Sequence, residues 1–373
     1  MRSILVISPI PSHPQFQGNS ARIYRLTRMY QLAGYQVHFV YFGMEGMDEQ
    51  QQRNMSSCWD HFYFVQPVGP AAEPSYGEYF DIDDWYDKRV SELVETLCDT
   101  YQFDICLTNY VWFSKVLDSV SAQTLKIIDT HDVFGDRHLV AKQAGLEPVW
   151  FYTTRALESL ALSRADLIIA IQDEEQAYFE SITDTPVTTL GYVVPLQRIL
   201  PRNPITSSKI RVGYIGSGNP FNVSSMLSFQ ANIMAHPELL DKFEFVLAGT
   251  ICRNIESENQ VFTIVGMVDE LDDFYSTIDI AVNPMVGGTG LKIKTLEALS
   301  FGKPLLGTVD AMVGIPSENP LHQCANVEEL VTQLTTFSEQ DLAKLTIDSQ
   351  QVFEQYNLTH IKRFNELFNK VAE

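Results

Sequence analysis

The residues best suited to chemistry lie in one short stretch near the end of the chain, "GGTGLKIKTLEALSFGKPL". Its glycines allow left-handed backbone and the close approach of a ligand. Lys292 and Lys294 place two cations at the expected start of a helix, where free backbone N–H groups favour phosphate oxygens. Glu297 adds a carboxylate three residues after Lys294. This pattern is typical of a phosphate-binding loop, but a plain loop and helix with a Lys294–Glu297 surface pair would show it equally.

Alternating strands and helices surround this stretch and position it. The strand "DIAVNP" precedes it, and the strand "PLLGTV" follows. The chain also begins with a strand, "SILVIS", a loop, "PIPSHPQFQGNS", and a helix, "ARIYRLTRMYQLAGY". Such alternation predicts βαβ units with parallel sheets. The loops after the strands then lie at the carboxyl edge of each sheet, where ligands bind in folds of this class.

A proline-rich segment, "PLQRILPRNPITSSK", interrupts this alternation. We therefore predict an α/β protein with two Rossmann-like domains that face each other across a cleft. The first domain covers residues 1–195, a linker covers 196–208, and the second domain covers 209–350. A C-terminal helix at 351–373 completes the chain and can cross back to the first domain.

The amino-acid composition indicates which classes of partner and which cellular compartment to expect. The net charge of −21 disfavours nucleic acid and anionic membranes as partners, since both attract basic surfaces. The five cysteines are dispersed, as expected in a reducing compartment. The apolar run Ile4–Ile7 is too short for a signal peptide, and no apolar segment approaches the length of a transmembrane helix. We expect a cytoplasmic protein without a transmembrane segment.

Cofactor motifs are weak. The "DID" at Asp81–Asp83 is the nearest approach to a metal-binding DxD pattern, but acidic residues at loops and helix starts usually serve as caps. The glycines of "GYIGSG" lack the GxGxxG spacing of a dinucleotide site. We therefore expect no metal and no other cofactor.

Four segments together resemble the retaining group 1 glycosyltransferases of the GT-B fold, often called GT4. They are the stretch quoted first, "VGMVDELDDFYSTIDIAVNPM" before it, "VGYIGSGNPFNVSSML" at the start of the second domain, and "IIDTHDVFGDRH" in the first. The resemblance implies transfer of a sugar from a UDP- or GDP-linked nucleotide-sugar. The acceptor would be a hydroxyl of a saccharide, of a lipid-linked acceptor or of another small molecule, and anomeric configuration would be retained.

The resemblance also implies roles for single residues. Glu297 matches the glutamate that binds ribose, and His131 matches the catalytic-site histidine that approaches the donor sugar. The other residues that it places at the site are Gly290, Leu291 and Lys292 at the diphosphate, Gly266 and Val268 at the base, Gly216, Ser217, Thr289 and Lys294 elsewhere on the donor side, and Gly18 and Asn19 in the first loop.

The sequence departs from the family pattern in two places. Thr289 stands eight residues before Glu297, where the family usually has a second glutamate. The family's usual Arg and Lys after the first strand of the second domain are replaced by the neutral "GSGNPFN". Lys292 is the best substitute for these cations and Lys294 the second. Two other hypotheses stay open: a GT-B protein without catalysis that binds a partner or regulates a paralogue, and a nucleotide-sugar epimerase of the same fold.

The irregular segment "EYFDIDDWYD" carries Tyr79, Trp85 and Tyr86 among acidic residues. We expect these aromatic rings either to stack on sugar rings of the acceptor or to belong to the core of the first domain.

Overall fold

The structure is a computed structural model that describes residues 2–15, 17–69, 72–143, 147–148, 150–197, 209–255, 261–287 and 290–368. The chain divides into two compact units. The first unit holds Met1–Tyr192 and Arg363–Glu373, and the second holds Val193–Lys362. Most of the linker predicted at 196–208 lies outside the described residues.

The first unit is built on a seven-stranded sheet in the order β3-β2-β1-β4-β5-β6-β7. All neighbouring strands pair in parallel. The strands are β1 (Ser3–Ser8), β2 (Gln36–Phe42), β3 (His61–Val65), β4 (Ile105–Asn109), β5 (Leu125–Asp129), β6 (Leu167–Ala170) and β7 (Val187–Thr189). Every residue of β1 is buried, as expected for a central strand covered on both faces.

Helices follow these strands in the first unit. They are α1 (Gly18–Leu32), α2 (Glu49–Cys58), α3 (Lys88–Thr100), α4 (Arg137–Gln143), α5 (Arg155–Leu162) and α6 (Asp173–Glu180), with a 3-10 helix at Val111–Ser119. The amphipathic pattern of α3 explains its position, since Val90, Val94 and Leu97 recur at helical spacing and are all buried.

The second unit contains a five-stranded parallel sheet in the order β10-β9-β8-β11-β12. Its strands are β8 (Ile210–Ile215), β9 (Phe243–Ala248), β10 (Phe262–Gly266), β11 (Ile280–Asn283) and β12 (Leu305–Gly307). Its helices are α7 (Pro220–Met234), α8 (Leu239–Lys242), α9 (Cys252–Ile255), α10 (Leu271–Tyr275), α11 (Ile293–Ser300), α12 (Val327–Thr336) and α13 (Glu339–Phe368), with 3-10 turns at Asp310–Met312 and Pro320–His322. The C-terminal segment thus forms a single helix, and its residues from Arg363 onward belong to the first unit.

Both sheets have the strand order of a Rossmann-like domain, so the predicted α/β class is confirmed. In each sheet the strand order reverses at one place, the switch point. It lies between β1 and β4 in the first unit and between β8 and β11 in the second. The crevice at the carboxyl ends of those strands is where such folds bind ligands. Within the described part of the chain, no helix has the length and apolar character needed to cross a membrane.

Gly213 on β8 gives a test of the packing beneath the second switch point. A Cβ there would lie 2.5 Å from Ile278 Cγ2 and 2.9 Å from Phe274 Cζ. Gly213→Ala should therefore lower the free energy of unfolding by about 1–3 kcal/mol through overpacking, measured by urea denaturation. Gly307→Ala on β12 is the matched control, because its Cβ would meet only ordinary contacts at 3.5 Å and beyond. Equal stability losses in the two variants would contradict this packing.

Candidate functional site

Lys294 on α11 reaches across the switch point of the second unit. Its Nζ donates a hydrogen bond to Tyr214 Oη on β8 at 2.8 Å and another to Asn222 Oδ1 in the first turn of α7. Burial, followed by repulsion from Lys292, lowers the pKa of Lys294 to about 7. The ammonium is thus held among neutral groups that offset little of its desolvation. An anion at this place would favour the charged form of Lys294.

The side chain of Lys292 instead bonds within the loop that precedes α11. Its side chain is buried, and Nζ donates to the carbonyl oxygen of Gly290 at 2.7 Å. Gly290 has a φ of 75°, which a residue with a side chain rarely adopts, and the neighbouring Leu291 is buried. Lys292 is the N-cap residue of α11, so the helix begins later than the sequence pattern indicated.

Glu297 lies one turn further along α11. Its Oε1 accepts a hydrogen bond from Tyr275 Oη at 2.9 Å, and Tyr275 is in turn stacked on Phe301 with ring centroids 4.4 Å apart. Burial raises the pKa of Glu297 to about 7, partly opposed by the Tyr275 hydrogen bond and by Lys294. The surface-pair interpretation of Lys294 and Glu297 is wrong, because Lys294 makes its hydrogen bonds to Tyr214 and Asn222 and both side chains are partly buried.

The loop after β8 lies against the loop after β9, which in turn contacts the last residue of β10. A Cβ on Gly249 would lie 2.3 Å from the carbonyl oxygen of Gly216, and Gly249 has a φ of 90°, so only glycine fits there. The N–H of Gly249 donates to the carbonyl oxygen of Gly266 at 2.8 Å. Asn222 Nδ2 donates to the carbonyl oxygen of Ser217 at 2.9 Å, which fixes this loop to α7. Val268 follows Gly266 and is partly exposed.

A second polar cluster lies at the switch point of the first unit, around the ion pair of Arg22 and Asp129. Arg22 Nε donates to Asp129 Oδ2 at 2.9 Å, and both side chains are almost fully buried. Asp129 is the last residue of β5, and Arg22 lies on α1. His131 Nε2 lies 3.3 Å from Asp129 Oδ2 and forms a 2.9 Å hydrogen bond with Asn109 Oδ1.

His131 is held as a neutral imidazole in a strained backbone position. Burial lowers its pKa to about 4, and this outweighs the opposite influence of Asp129. Its φ is 64°, and its ring stacks on Tyr110 with centroids 4.2 Å apart. Tyr110 also has a positive φ, of 72°, and forms a hydrogen bond with Asn19 in the first turn of α1. Gly18, the first residue of that helix, is exposed.

The loop after His131 is fixed by the buried carboxylate of Glu158 on α5. It accepts hydrogen bonds from the N–H groups of Phe134 and Gly135 at 2.8 and 3.0 Å and from Tyr178 Oη at 2.8 Å. Burial nevertheless raises the pKa of Glu158 to about 7.

The family model described as "Glycosyl transferases group 1" matches residues 209–339, most of the second unit. Residues 209–339 form a group 1 glycosyl transferase domain. This group 1 domain contains Lys294, Glu297 and the loop after β8. A search of curated proteins by sequence finds no match.

Solved structures show the fold of the whole chain. Anabaena HepE in complex with UDP and glucose superimposes with a TM-score of 0.67 at 12% identity, covering 100% of both chains. Staphylococcus aureus TarM superimposes at 0.68 and 10% identity, covering 99% of this chain and 100% of TarM. Sucrose-phosphate synthase from Thermosynechococcus elongatus superimposes at 0.64 and 15% identity, covering 99% and 100%. The expected GT-B fold is confirmed, as is the resemblance to the group 1 family.

The structure brings some predicted site residues together. Lys294 is joined through Asn222 to the loop that contains Gly216 and Ser217, and Gly249, which lies against Gly216, donates a hydrogen bond to Gly266. Thr289 lies outside the described residues. His131, Gly18 and Asn19 belong to the first unit, and only Asn19 and His131 share a partner, Tyr110.

Several residues that hydrogen-bond to Lys294, Glu297 and His131 could not be recognised from the sequence. Tyr214 and Tyr275 have the apolar neighbours of ordinary core residues, and only their hydroxyl groups distinguish them. Asn109 and Asp129 are each the buried last residue of a strand, and this position is the signal that would have identified them.

The structure also shows the contacts of the aromatic and acidic residues in the segment before α3. Trp85 packs against Trp112, and Tyr86 packs against Phe113 and bonds to Ser91, so both rings belong to the core rather than to a free sugar platform. Asp83 pairs with Arg164 at 2.6 Å. Among the described residues, no three His, Cys, Asp or Glu side chains lie close enough together to hold a metal ion.

The raised pKa of Glu297 predicts a pH-dependent stability. An unfolded glutamate loses its proton near pH 4.5 and the folded Glu297 near pH 7, so the folded state binds more protons between these values. The Glu297 contribution to the free energy of unfolding therefore falls as the pH rises from 4.5 to 7. Glu297→Gln should gain stability relative to the wild type over this range, measured by urea denaturation at several pH values.

The control is Glu354→Gln, which removes an exposed carboxylate on α13. Its stability difference from the wild type should not change with pH in the same way. Parallel curves for Glu297→Gln and the wild type from pH 4.5 to 7 would contradict the buried position of this carboxyl.

Proposed function

We propose that this protein is a glycosyltransferase. It moves a sugar from a UDP- or GDP-linked nucleotide-sugar to a hydroxyl of a saccharide, of a lipid-linked acceptor or of another small molecule, with retention of anomeric configuration. The observation that carries the proposal is the contact of Lys294 Nζ with Tyr214 and Asn222 inside the group 1 domain. It puts a cation beside the neutral loop where this sequence lacks the family's usual Arg and Lys.

The donor diphosphate is proposed to bind between α11 and the loop after β8. The free N–H groups at the start of α11 and the ammonium of Lys294 then face the phosphate oxygens. As the sugar leaves, negative charge grows on the diphosphate, and these preorganised groups stabilise it. Lys292 supports the same site indirectly, because its bond to the carbonyl oxygen of Gly290 holds the loop before the helix.

The remaining donor contacts follow from the same placement. Glu297, oriented by Tyr275, is proposed to bind the ribose hydroxyls, and the backbone from Gly266 to Val268 to bind the base. Gly216, Ser217, Thr289, Gly290 and Leu291 complete the donor side. His131 is proposed as the catalytic residue that contacts the donor sugar, and Gly18 and Asn19 as residues of the acceptor side. No metal is assigned a role.

The nucleotide base is proposed to be uracil first. HepE was solved with UDP and glucose and also with UDP-glucose, and TarM was solved with UDP. These relatives are distant in sequence, so guanine remains the second base to test.

Calorimetry with UDP and GDP tests the donor site. We expect one of them to bind, and Lys294→Met to weaken its binding by about ten- to a hundredfold, the usual loss for a charge-assisted hydrogen bond. Because the pKa of Lys294 is about 7, nucleotide binding at pH 7.5 should also take up protons in the wild type. Titrations in two buffers of different ionisation enthalpy measure this uptake, which Lys294→Met should lose.

The matched control is Lys344→Met, which removes an exposed lysine on α13 and should change neither quantity. Absence of binding of both nucleotides at millimolar concentration, or unchanged binding by Lys294→Met, would contradict the proposal. Release of nucleotide from a panel of nucleotide-sugars in the presence of acceptors then separates a transferase from a protein that only binds.

A further inference from the structure

The first unit contains an aromatic surface that the donor site does not use. Trp150 is 41% exposed, although tryptophan is among the largest apolar side chains. Its φ is 66°, a conformation that is a genuine outlier for a bulky residue. Since the side chain is not buried, core packing alone does not explain why the chain tolerates this backbone.

The strained residues of this unit follow one line of ring contacts. His131 stacks on Tyr110 at 4.2 Å, Tyr110 stacks on Trp112 at 5.0 Å, and Trp112 meets Trp150 edge-on at 6.4 Å. Three residues of this line, His131, Tyr110 and Trp150, are among the four non-glycine residues with positive φ in the described chain. Strained backbone of this kind concentrates at functional sites.

The ring of Trp150 is fixed by the core beneath it. Trp85 meets it edge-on at 5.2 Å with an interplanar angle of 87°, and Trp85 itself is packed against Trp112. The following residues are tied to a neighbouring segment by two hydrogen bonds. The N–H of Phe80 donates to the carbonyl oxygen of Tyr152 at 3.1 Å, and Thr153 Oγ1 donates to that of Phe80 at 2.8 Å. Trp150 is therefore a rigid, exposed ring rather than a loose side chain.

The charged residues of the neighbouring segment are all acidic. Tyr76 is 53% exposed, and its Oη donates to Asp81 Oδ2 at 3.2 Å. Residues 54–87 include Glu73, Glu78 and Asp81 but no lysine or arginine. Arg164 pairs with Asp83 and Arg137 with Asp132, so these two nearby guanidinium groups are already occupied by carboxylates. An anionic ligand would meet repulsion here, whereas hydroxyl groups would find acceptors.

We propose that Trp150, with the acidic segment around Tyr76 and Asp81, is a binding platform for a neutral saccharide. An exposed aromatic face packs against the apolar C–H face of a sugar ring, and carboxylates accept hydrogen bonds from its hydroxyls. The line of rings places this platform two aromatic residues away from His131. It rests on the proposed function in one respect, that the saccharide is the acceptor of the transfer reaction.

Binding of neutral pentasaccharides to the full chain tests the platform. Maltopentaose, cellopentaose and chitopentaose are titrated, with pentagalacturonate as the anionic comparison, and tryptophan fluorescence and calorimetry report binding. At least one neutral probe should bind and shift the fluorescence, and pentagalacturonate should not. Trp150→Ala should raise the Kd by about tenfold, whereas Trp150→Phe, which keeps an aromatic face, should raise it by less than about threefold.

Leu160→Ala is the matched control, because Leu160 is also a large exposed apolar side chain of the first unit, at 55% exposure. Its Kd should equal that of the wild type. Equal affinity of Trp150→Ala and the wild type, preference for pentagalacturonate, or no binding of any neutral probe would overturn the platform. UDP and GDP titrations of the same samples keep the two proposals apart, since nucleotide binding without saccharide binding contradicts only this one.

Discussion

The parallel pairing of β8 with β11 is the constraint on which the second unit depends. It brings the ends of two strands that are distant in sequence to one crevice, with α7 following one strand and α11 the other. Lys294 crosses that crevice and bonds to Tyr214 and Asn222, so one side chain of α11 connects the helix after β11 to β8 and α7. The close backbone contact of Gly216 with Gly249 adds the loop after β9. The donor site proposed for the group 1 domain is thus a consequence of strand order, and Lys294 is the side chain proposed to meet the diphosphate.

In the first unit the parallel strand order likewise brings the ends of distant strands together, but the side chains at these ends differ. Its switch point holds the buried ion pair of Arg22 and Asp129, and breaking such a pair usually costs several kcal/mol because one charge is left buried and unpaired. The pair fixes Asp129 beside His131, while burial keeps the imidazole neutral. A neutral ring with its Nε2–H bonded to Asn109 is suited to positioning and polarisation rather than to carrying charge. Lys294 thus belongs to the second unit and the neutral His131 to the first.

The fold could be predicted from the sequence because it depends on local patterns, whereas the donor role of the glycine-rich stretch stays a prediction. Alternating strands and helices predicted two parallel sheets, and the glycines with Lys292, Lys294 and Glu297 indicated a ligand loop. Spacing alone does not give side-chain direction, so it could not show that Lys292 and Lys294 have different partners. A start of α11 at Ile293 turns Lys292 onto its own loop and Lys294 toward β8. Tyr275 could not be recognised from the sequence for a similar reason. A tyrosine in an amphipathic helix has the pattern of a core residue, and only the structure shows that its hydroxyl donates to Glu297.

A crystal structure of the full chain soaked with UDP tests whether Lys294 and Glu297 bind the donor nucleotide. We expect a phosphate oxygen within hydrogen-bonding distance of Lys294 Nζ and a ribose hydroxyl within the same distance of the Glu297 carboxyl. A bound UDP whose phosphates contact neither Lys294 nor the start of α11, with Lys294 still bonded only to Tyr214 and Asn222, would contradict the proposed donor site.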